Sequence, residues 1–140
     1  MPFERIVVAI DGSETSFHAF AKALELAGVT KAALLALVVE GPLPAYAATI
    51  GEIDEVRREK DVSFHALAGR IRTQAEQAGV PVEVELRPGH AAELIVRYAM
   101  EVGADLIVLG HKGHCLRDHV LGSTADRVAE SAECPVMIVR

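Results

Sequence analysis

Residues 104–123 read ADLIVLGHKGHCLRDHVLGS, and this stretch decides the fold. Its apolar run LIVL has the length and branched side chains of a buried strand. Gly110 and Gly113 follow, and we expect them to adopt backbone angles closed to other residues and to keep main-chain N–H groups accessible to a ligand. Gly122 and Ser123 then open a helix, whose unpaired N–H groups and dipole attract an anion. The stretch therefore predicts a loop that grips a polyphosphate, and hence a nucleotide site.

Apolar periodicity alternates between strand and helix along the rest of the chain. Short apolar runs predict strands, and longer stretches with apolar residues three and four apart predict helices, the first of which we expect to stop at Gly28. Such alternation is typical of an α/β protein with a parallel sheet and helices on both faces. We expect one such domain over residues 1–140. The predicted strands are residues 5–10, 32–39, 82–86, 105–109 and 135–139, and the predicted helices are residues 14–27, 53–78, 91–102 and 123–132.

Composition and charge narrow the class of protein. Of 140 residues, 51% are hydrophobic and 24% are charged, and the formal net charge is −6. An acidic chain disfavours nucleic acid and anionic membrane surfaces as partners. The start, MPFERIVVAID, lacks a signal-peptide core, and Cys115 and Cys134 lack the spacing of a metal or redox pair. We therefore expect a cytoplasmic protein with reduced thiols.

Two loops are placed to form one site. In open α/β sheets, ligands bind beyond the carboxyl ends of the strands, where the strand order reverses. Residues 11–16 leave the first strand and residues 110–123 leave the fourth. If these strands are neighbours, both loops open on the same crevice.

The resemblance to a known family rests on three segments that span the chain. These are VVAIDGSETS near the start, ADLIVLGHKG at the fourth strand, and LGSTADRVAESAECPVMIV at the end. With them the chain resembles the universal stress protein family. The resemblance implies a doubly wound, five-stranded parallel sheet of order 3-2-1-4-5 with four helices, similar to the adenine nucleotide alpha hydrolases.

The nucleotide-binding branch of that family has a glycine pattern: Gly, two residues, Gly, nine residues, Gly and Ser or Thr. Gly110, Gly113 and the pair Gly122-Ser123 match its fixed positions, with eight intervening residues instead of nine. The loop either absorbs the missing residue or draws the helix start away from the phosphates.

The resemblance assigns a role to each matching position. Asp11 meets the ribose or adenine, main-chain groups of two valines contact the base, and the glycine loop lines the ribose and phosphates. His111 and Lys112 are close enough to help neutralise phosphate charge. The predicted nucleotide-binding residues are Asp11, Val38, Val39, Gly110, His111, Lys112, Gly113, Gly122, Ser123 and Thr124.

Several of these residues have a purely structural alternative. Asp11-Gly12-Ser13 after a strand is ordinary turn chemistry, with Ser13 as a helix cap. Ser123, with Asp126 three residues later, resembles a capping box. A cap and a phosphate ligand compete for the same N–H groups, so the helix end could exchange one for the other.

Metal binding and catalysis find little support in the sequence. The candidate metal ligands are His111, His114, Cys115 and His119. Because the sequence offers no second ligand pair elsewhere, we predict that they are partly exposed loop side chains and that there is no metal site. The chain has no phosphate loop ending in Lys-Ser or Lys-Thr, and no acid pair suited to Mg²⁺ at the strand ends. We therefore assign no catalytic residue and expect weak ATPase activity at most.

The last strand predicts self-association. Residues 136–139, VMIV, are apolar on both faces yet end the chain, which places them at a sheet edge. An uncovered apolar edge favours pairing with a second copy. Relatives in the family commonly dimerise through this strand, so the resemblance also implies a homodimer.

The sequence thus favours a stress-response binding or signalling module that takes ATP, AMP or ADP, with or without Mg²⁺, and acts on a protein partner still to be identified. Two alternatives stay open. The chain is either a family member that works through protein contacts without nucleotide, or an adenylyl-handling hydrolase or transferase of the same fold class.

Overall fold

The computed structural model describes residues 3–40, 50–111 and 122–140. Strands and helices alternate through these ranges, as predicted. Each observed boundary lies within a few residues of the predicted one. The elements are β1 (Arg5–Ile10), α1 (Glu14–Thr30), β2 (Ala33–Glu40), α2 (Ile50–Ala78), β3 (Val82–Pro88), α3 (Ala91–Val102), β4 (Leu106–Gly110), α4 (Ser123–Ser131) and β5 (Val136–Val139).

The predicted stop of α1 at Gly28 is wrong. The helix continues to Thr30, whose hydroxyl donates to the Leu26 carbonyl at 2.7 Å, and the left-handed residue that ends it is Lys31, with φ 61°. Gly28 stays helical beside Val80, whose Cγ2 would lie 3.7 Å from an added Cβ. A glycine ends a helix only where the chain needs a positive φ, and here that position comes three residues later.

The sheet is parallel throughout and has the order β3-β2-β1-β4-β5, which confirms the expected doubly wound fold. Ile6 of β1 pairs with Leu34 of β2 on one side and with Leu106 of β4 on the other. The chain winds outward from β1 through β2 to β3, and then crosses back to β4 on the other side of β1. The strand order therefore reverses between β1 and β4, where a ligand crevice is expected.

Each face of the sheet has its own apolar core. On one face, alternate β1 residues such as Ile6 and Val8 pack under α1 and α2. On the other, Val7 and Ala9 pack with apolar residues of α3 and α4. Because side chains alternate along a strand, a central strand must be apolar at every position to serve both cores.

The amino ends of β1 and β4 are joined by Asp105. Its carboxylate accepts hydrogen bonds from the N–H groups of Glu4 at 2.7 Å and Arg5 at 3.1 Å. Its own N–H donates to the Arg5 carbonyl at 3.0 Å. These bonds fix the two strands that frame the crevice, at the end opposite to it. As for membranes, no helix in the described ranges is both long and apolar enough to span one.

Candidate functional site

A cavity of about 310 Å³ opens at the carboxyl ends of β1 and β4. The turn after β1, the end of β4 and the start of α4 supply its walls, and α3 closes one side. Its apolar wall comes from Ala9, Ile10, Val39, Ala91, Ile95, Leu109 and Ala125. Its polar and glycine residues are Asp11, Ser13, Ser16, Gly110, Gly122, Ser123 and Thr124.

Asp11 combines the turn role with a place in the cavity wall. Its Oδ1 accepts the Ser13 N–H at 2.8 Å, which fixes the turn after β1. Ser13 caps α1, because its Oγ accepts the Ser16 N–H at 3.2 Å. A carboxylate has about four acceptor positions, so one turn bond leaves Asp11 capable of accepting hydroxyl groups from a ligand. The structural and binding interpretations of Asp11 are therefore compatible.

Gly110 lines the cavity for a reason that differs from the expected one. Its φ lies outside the left-handed region, so the expected special backbone angle is wrong. A Cβ added there would lie 2.8 Å from the Thr15 carbonyl carbon and 2.9 Å from the Thr15 oxygen. These distances are too short for a real side chain. The glycine therefore lets the first turn of α1 pack against the end of β4.

His111 is buried, which corrects the expectation of a partly exposed loop side chain. It is 8% exposed, and within the described residues neither ring nitrogen has a hydrogen-bond partner. Its backbone is fully used: its N–H donates to the Val139 carbonyl of β5 at 2.7 Å, and its carbonyl accepts the Gly122 N–H at 2.7 Å. His111 thus joins β4, β5 and the start of α4, and it is absent from the described cavity lining.

The start of α4 is not a capping box, contrary to one of the two interpretations of Ser123. The N-cap is Gly122, which has no side-chain cap bond, and Ser123 is the first helical residue. The first intrahelical bond runs from the Asp126 N–H to the Gly122 carbonyl at 2.9 Å. The N–H groups of residues 123–125 therefore have no helical acceptor, and no described side chain replaces it. They lie at the cavity wall, where they can donate to an anion.

The two valines at the end of β2 lie on opposite faces of the sheet. Val39 lines the cavity, whereas Val38 packs into the core under α1 and α2. The backbone of Val38 is paired on both sides, with Ile10 of β1 and Leu86 of β3. The structure thus brings Val39 to the cavity and leaves the side chain of Val38 away from it.

Lys112 and Gly113 lie outside the described residues, as do His114, Cys115 and His119. Among the described residues, no group of three His, Cys, Asp or Glu side chains is placed to hold a metal ion.

Sequence reasoning missed Ala91 and Ile95 of α3, which form part of the apolar wall. Two signals could have found them. Pro88-Gly89 turns the chain at the carboxyl end of β3, so α3 begins at the same edge of the sheet as the cavity. Ile95 also belongs to the buried side of α3, together with Tyr98 and Ala99.

The geometry suits a ligand of mixed chemistry. An apolar wall can hold a flat apolar group, Asp11 can accept hydroxyl hydrogen bonds, and the start of α4 offers N–H and hydroxyl donors to an anion. The volume lies within the range of small-molecule sites, about 300–1,000 Å³.

Comparison with known proteins is consistent across sequence and structure. Residues 2–140 match the model of the Universal stress protein family. The universal stress protein MJ0531 of Methanocaldococcus jannaschii is 33% identical over 141 residues, which cover 99% of this chain and 82% of that protein. Universal stress protein UspA from Lactobacillus plantarum superposes with a TM-score of 0.86 at 26% identity, covering 100% of this chain and 99% of that one. A universal stress protein solved in complex with cAMP superposes with a TM-score of 0.74 at 27% identity, covering 100% and 98%.

Proposed function

This chain belongs to the universal stress protein family, and on that premise we propose that it binds an adenine nucleotide in the cavity between β1 and β4. Its role is that of a cytoplasmic stress-response binding or signalling module. The observation that carries the proposal is the start of α4, whose N–H groups are uncapped by any described side chain and lie in the wall of a cavity that also holds Asp11.

Each part of a nucleotide has a matching wall. Val39, Ala91 and Ile95 supply apolar surface for the base. The Asp11 carboxylate, oriented by the Ser13 N–H, accepts hydrogen bonds from ribose hydroxyls. The N–H groups and hydroxyls of Ser123 and Thr124 donate to phosphate oxygens.

ATP is the ligand we propose first, with AMP and ADP as alternatives and Mg²⁺ as a companion ion for the longer phosphate chains. The related protein solved with cAMP supports an adenine nucleotide as the ligand class. We propose binding with weak ATP hydrolysis at most, because Asp11 is the one carboxylate among the described residues that line the cavity.

We also propose a homodimer that pairs through β5. The strand lies at the edge of the sheet, next to β4, and all four of its residues are half-buried. Its apolar side chains, and an edge that pairs with no other described strand, favour a second copy of β5 as the partner.

The proposal is tested by identifying any small molecule released from the denatured purified protein, and by calorimetry with ATP, ADP, AMP and cAMP, with and without Mg²⁺. Asp11→Asn keeps an oxygen that can accept the Ser13 N–H but removes the negative charge and one acceptor oxygen. It should weaken nucleotide binding with little change in the free energy of unfolding. A wild-type protein that binds none of the four nucleotides contradicts the proposal and favours the family alternative that works through protein contacts alone.

A further inference from the structure

A second cavity, of about 360 Å³, adjoins the proposed nucleotide site. The two cavities share Ala91, Ser123 and Thr124 as wall residues. The second cavity continues past these shared residues, along the first turn of α3 and along α4 as far as its last residue. Its remaining lining residues are His90, Ala92, Glu93, Arg127 and Ser131.

Arg127 is the guanidinium side chain that lines this cavity. Its side chain is exposed, and within the described residues it makes no ion pair or hydrogen bond. Arg87 shows the contrast, because it is held by both Glu85 and Glu101. A guanidinium presents a fork of N–H donors that matches two phosphate oxygens at once.

We propose that the second cavity receives the phosphates beyond the first, and that Arg127 makes the site prefer nucleoside di- and triphosphates over monophosphates. The inference rests on the proposed function. If the first phosphate is held by the start of α4, it lies against Ser123 and Thr124, which belong to both cavities. A longer chain leads from there into the second cavity, where Arg127 is one helical turn further along α4.

Glu93 opposes this preference from the facing helix. It lies in the first turn of α3, is exposed, and lines the same cavity as Arg127. Its negative charge repels additional phosphates. His90, at the N-cap of α3 without a side-chain cap bond, adds a donor beside it. The preference for long phosphate chains therefore depends on the balance between Arg127 and Glu93.

The test compares the dissociation constants of ATP and AMP, measured by calorimetry with EDTA and again with Mg²⁺. Arg127→Gln should weaken ATP binding about fivefold and AMP binding by less than about twofold, because exposed ion pairs are weak and distant charges are screened. Glu93→Gln should strengthen ATP binding and leave AMP binding unchanged. Arg72→Gln is the matched control, because it removes the same charge from an exposed position on α2 outside both cavities.

Two results overturn the inference while leaving the proposed function standing. In the first, Arg127→Gln weakens ATP and AMP binding to the same extent; in the second, it changes neither. A wild-type protein that binds neither ATP nor AMP overturns both this inference and the proposed function. That outcome is therefore distinct from the two results above. Because Arg127 is exposed, urea unfolding of Arg127→Gln should match wild type, which keeps a loss of fold from imitating a loss of affinity.

Discussion

At the residue scale, the site depends on backbone contacts more than on side-chain chemistry. Gly110 admits the backbone of Thr15, Gly122 leaves the start of α4 uncapped by any described side chain, and Ser13 closes the first turn of α1. These backbone contacts position the side chains that line the cavity, such as Asp11 and Ser123. Substitutions at such positions should separate packing effects from binding effects.

Gly110→Ala should lower the free energy of unfolding by about 1–3 kcal/mol in the absence of any nucleotide, because the new methyl group overlaps the Thr15 backbone. Urea denaturation measures this. Gly69→Ala on α2 is the control: no atom lies within 4 Å of its added Cβ, so the helix should gain up to about 1 kcal/mol. A Gly110→Ala protein of wild-type stability would contradict the packing explanation.

Ser123→Ala should change stability by no more than about 0.5 kcal/mol, since Ser123 is exposed and is not the cap of α4. Its nucleotide affinity should nevertheless fall, because a phosphate donor is lost. The matched variant is Ser13→Ala, which removes a cap and should cost about 1 kcal/mol. Thermal melting and calorimetry on both proteins separate the two roles. If Ser123→Ala melts early and binds normally, its role is structural.

The sequence predicted which short segments contain the candidate site. It did not predict why some of their residues are required, as Gly110 and His111 show. The loop after β1 and the start of α4 were expected to share a crevice if β1 and β4 were neighbours, and Asp11 and Ser123 do line the same cavity. The reason for Gly110 lies in the contact with Thr15, which is distant in sequence. The burial of His111 depends in the same way on packing that a local pattern does not contain.

At the element scale, Arg87 ties the edge strand β3 to α3. Its Nη2 donates to Glu101 Oε2 at 2.6 Å, its Nε donates to Glu85 Oε2 at 3.2 Å, and its guanidinium carbon lies 4.8 Å from the centre of the Tyr98 ring. The hydrogen bond from Arg87 lowers the pKa of the Glu101 carboxyl. This link holds one side of the helix that contributes Ala91 and Ile95 to the cavity.

Glu101→Gln should therefore lose stability in a pH-dependent way. A carboxyl whose pKa is lowered by folding stabilises the protein above its unfolded pKa, and that contribution disappears as the pH falls through the folded pKa. Urea unfolding from pH 7 down to pH 3 should show wild type and variant converging at the acid end. Glu76→Gln, at an exposed position on α2, serves as the control. A constant difference across the range would contradict the charge-based explanation.

Element types were predictable because short, continuously apolar runs and longer segments with helical spacing alternate along the chain, whereas the ends of elements were harder to predict. Gly28 illustrates the limit, because a glycine inside a helix and a glycine that ends one look the same in a sequence. The helix ends where a residue with a positive φ turns the chain toward β2, and here that residue is Lys31.

At the scale of the whole molecule, the sheet order places β1 at the centre and β5 at an edge. Alternation alone predicted a parallel sheet, but the order 3-2-1-4-5 came from the family resemblance, because several orders satisfy the same periodicity. This order has two consequences. It creates the crevice between β1 and β4, and within the described residues it leaves one side of β5 without a neighbouring strand.

If the proposed dimer forms, Ile138→Lys should yield monomer or aggregate, because it introduces a charge into the half-buried edge strand at a side chain that packs against the core. Sedimentation velocity at micromolar concentration measures the change, and far-UV circular dichroism checks that the fold is kept. Val29→Lys is the control, as Val29 is 82% exposed on α1. A monomeric wild type would rule out the proposed dimer.

The bond between the Gly122 N–H and the His111 carbonyl also bears on how insertions and deletions are tolerated. At 2.7 Å, this bond holds together His111 and Gly122, the two described residues between which ten positions of the sequence lie. The entropy of closing such a loop grows only with the logarithm of its length, so adding one residue costs about 0.1 kcal/mol. Chains with eight or nine residues between the second and third glycines of the pattern can then share the same anchors. Loop-closure entropy alone therefore gives little reason for this segment to have one fixed length.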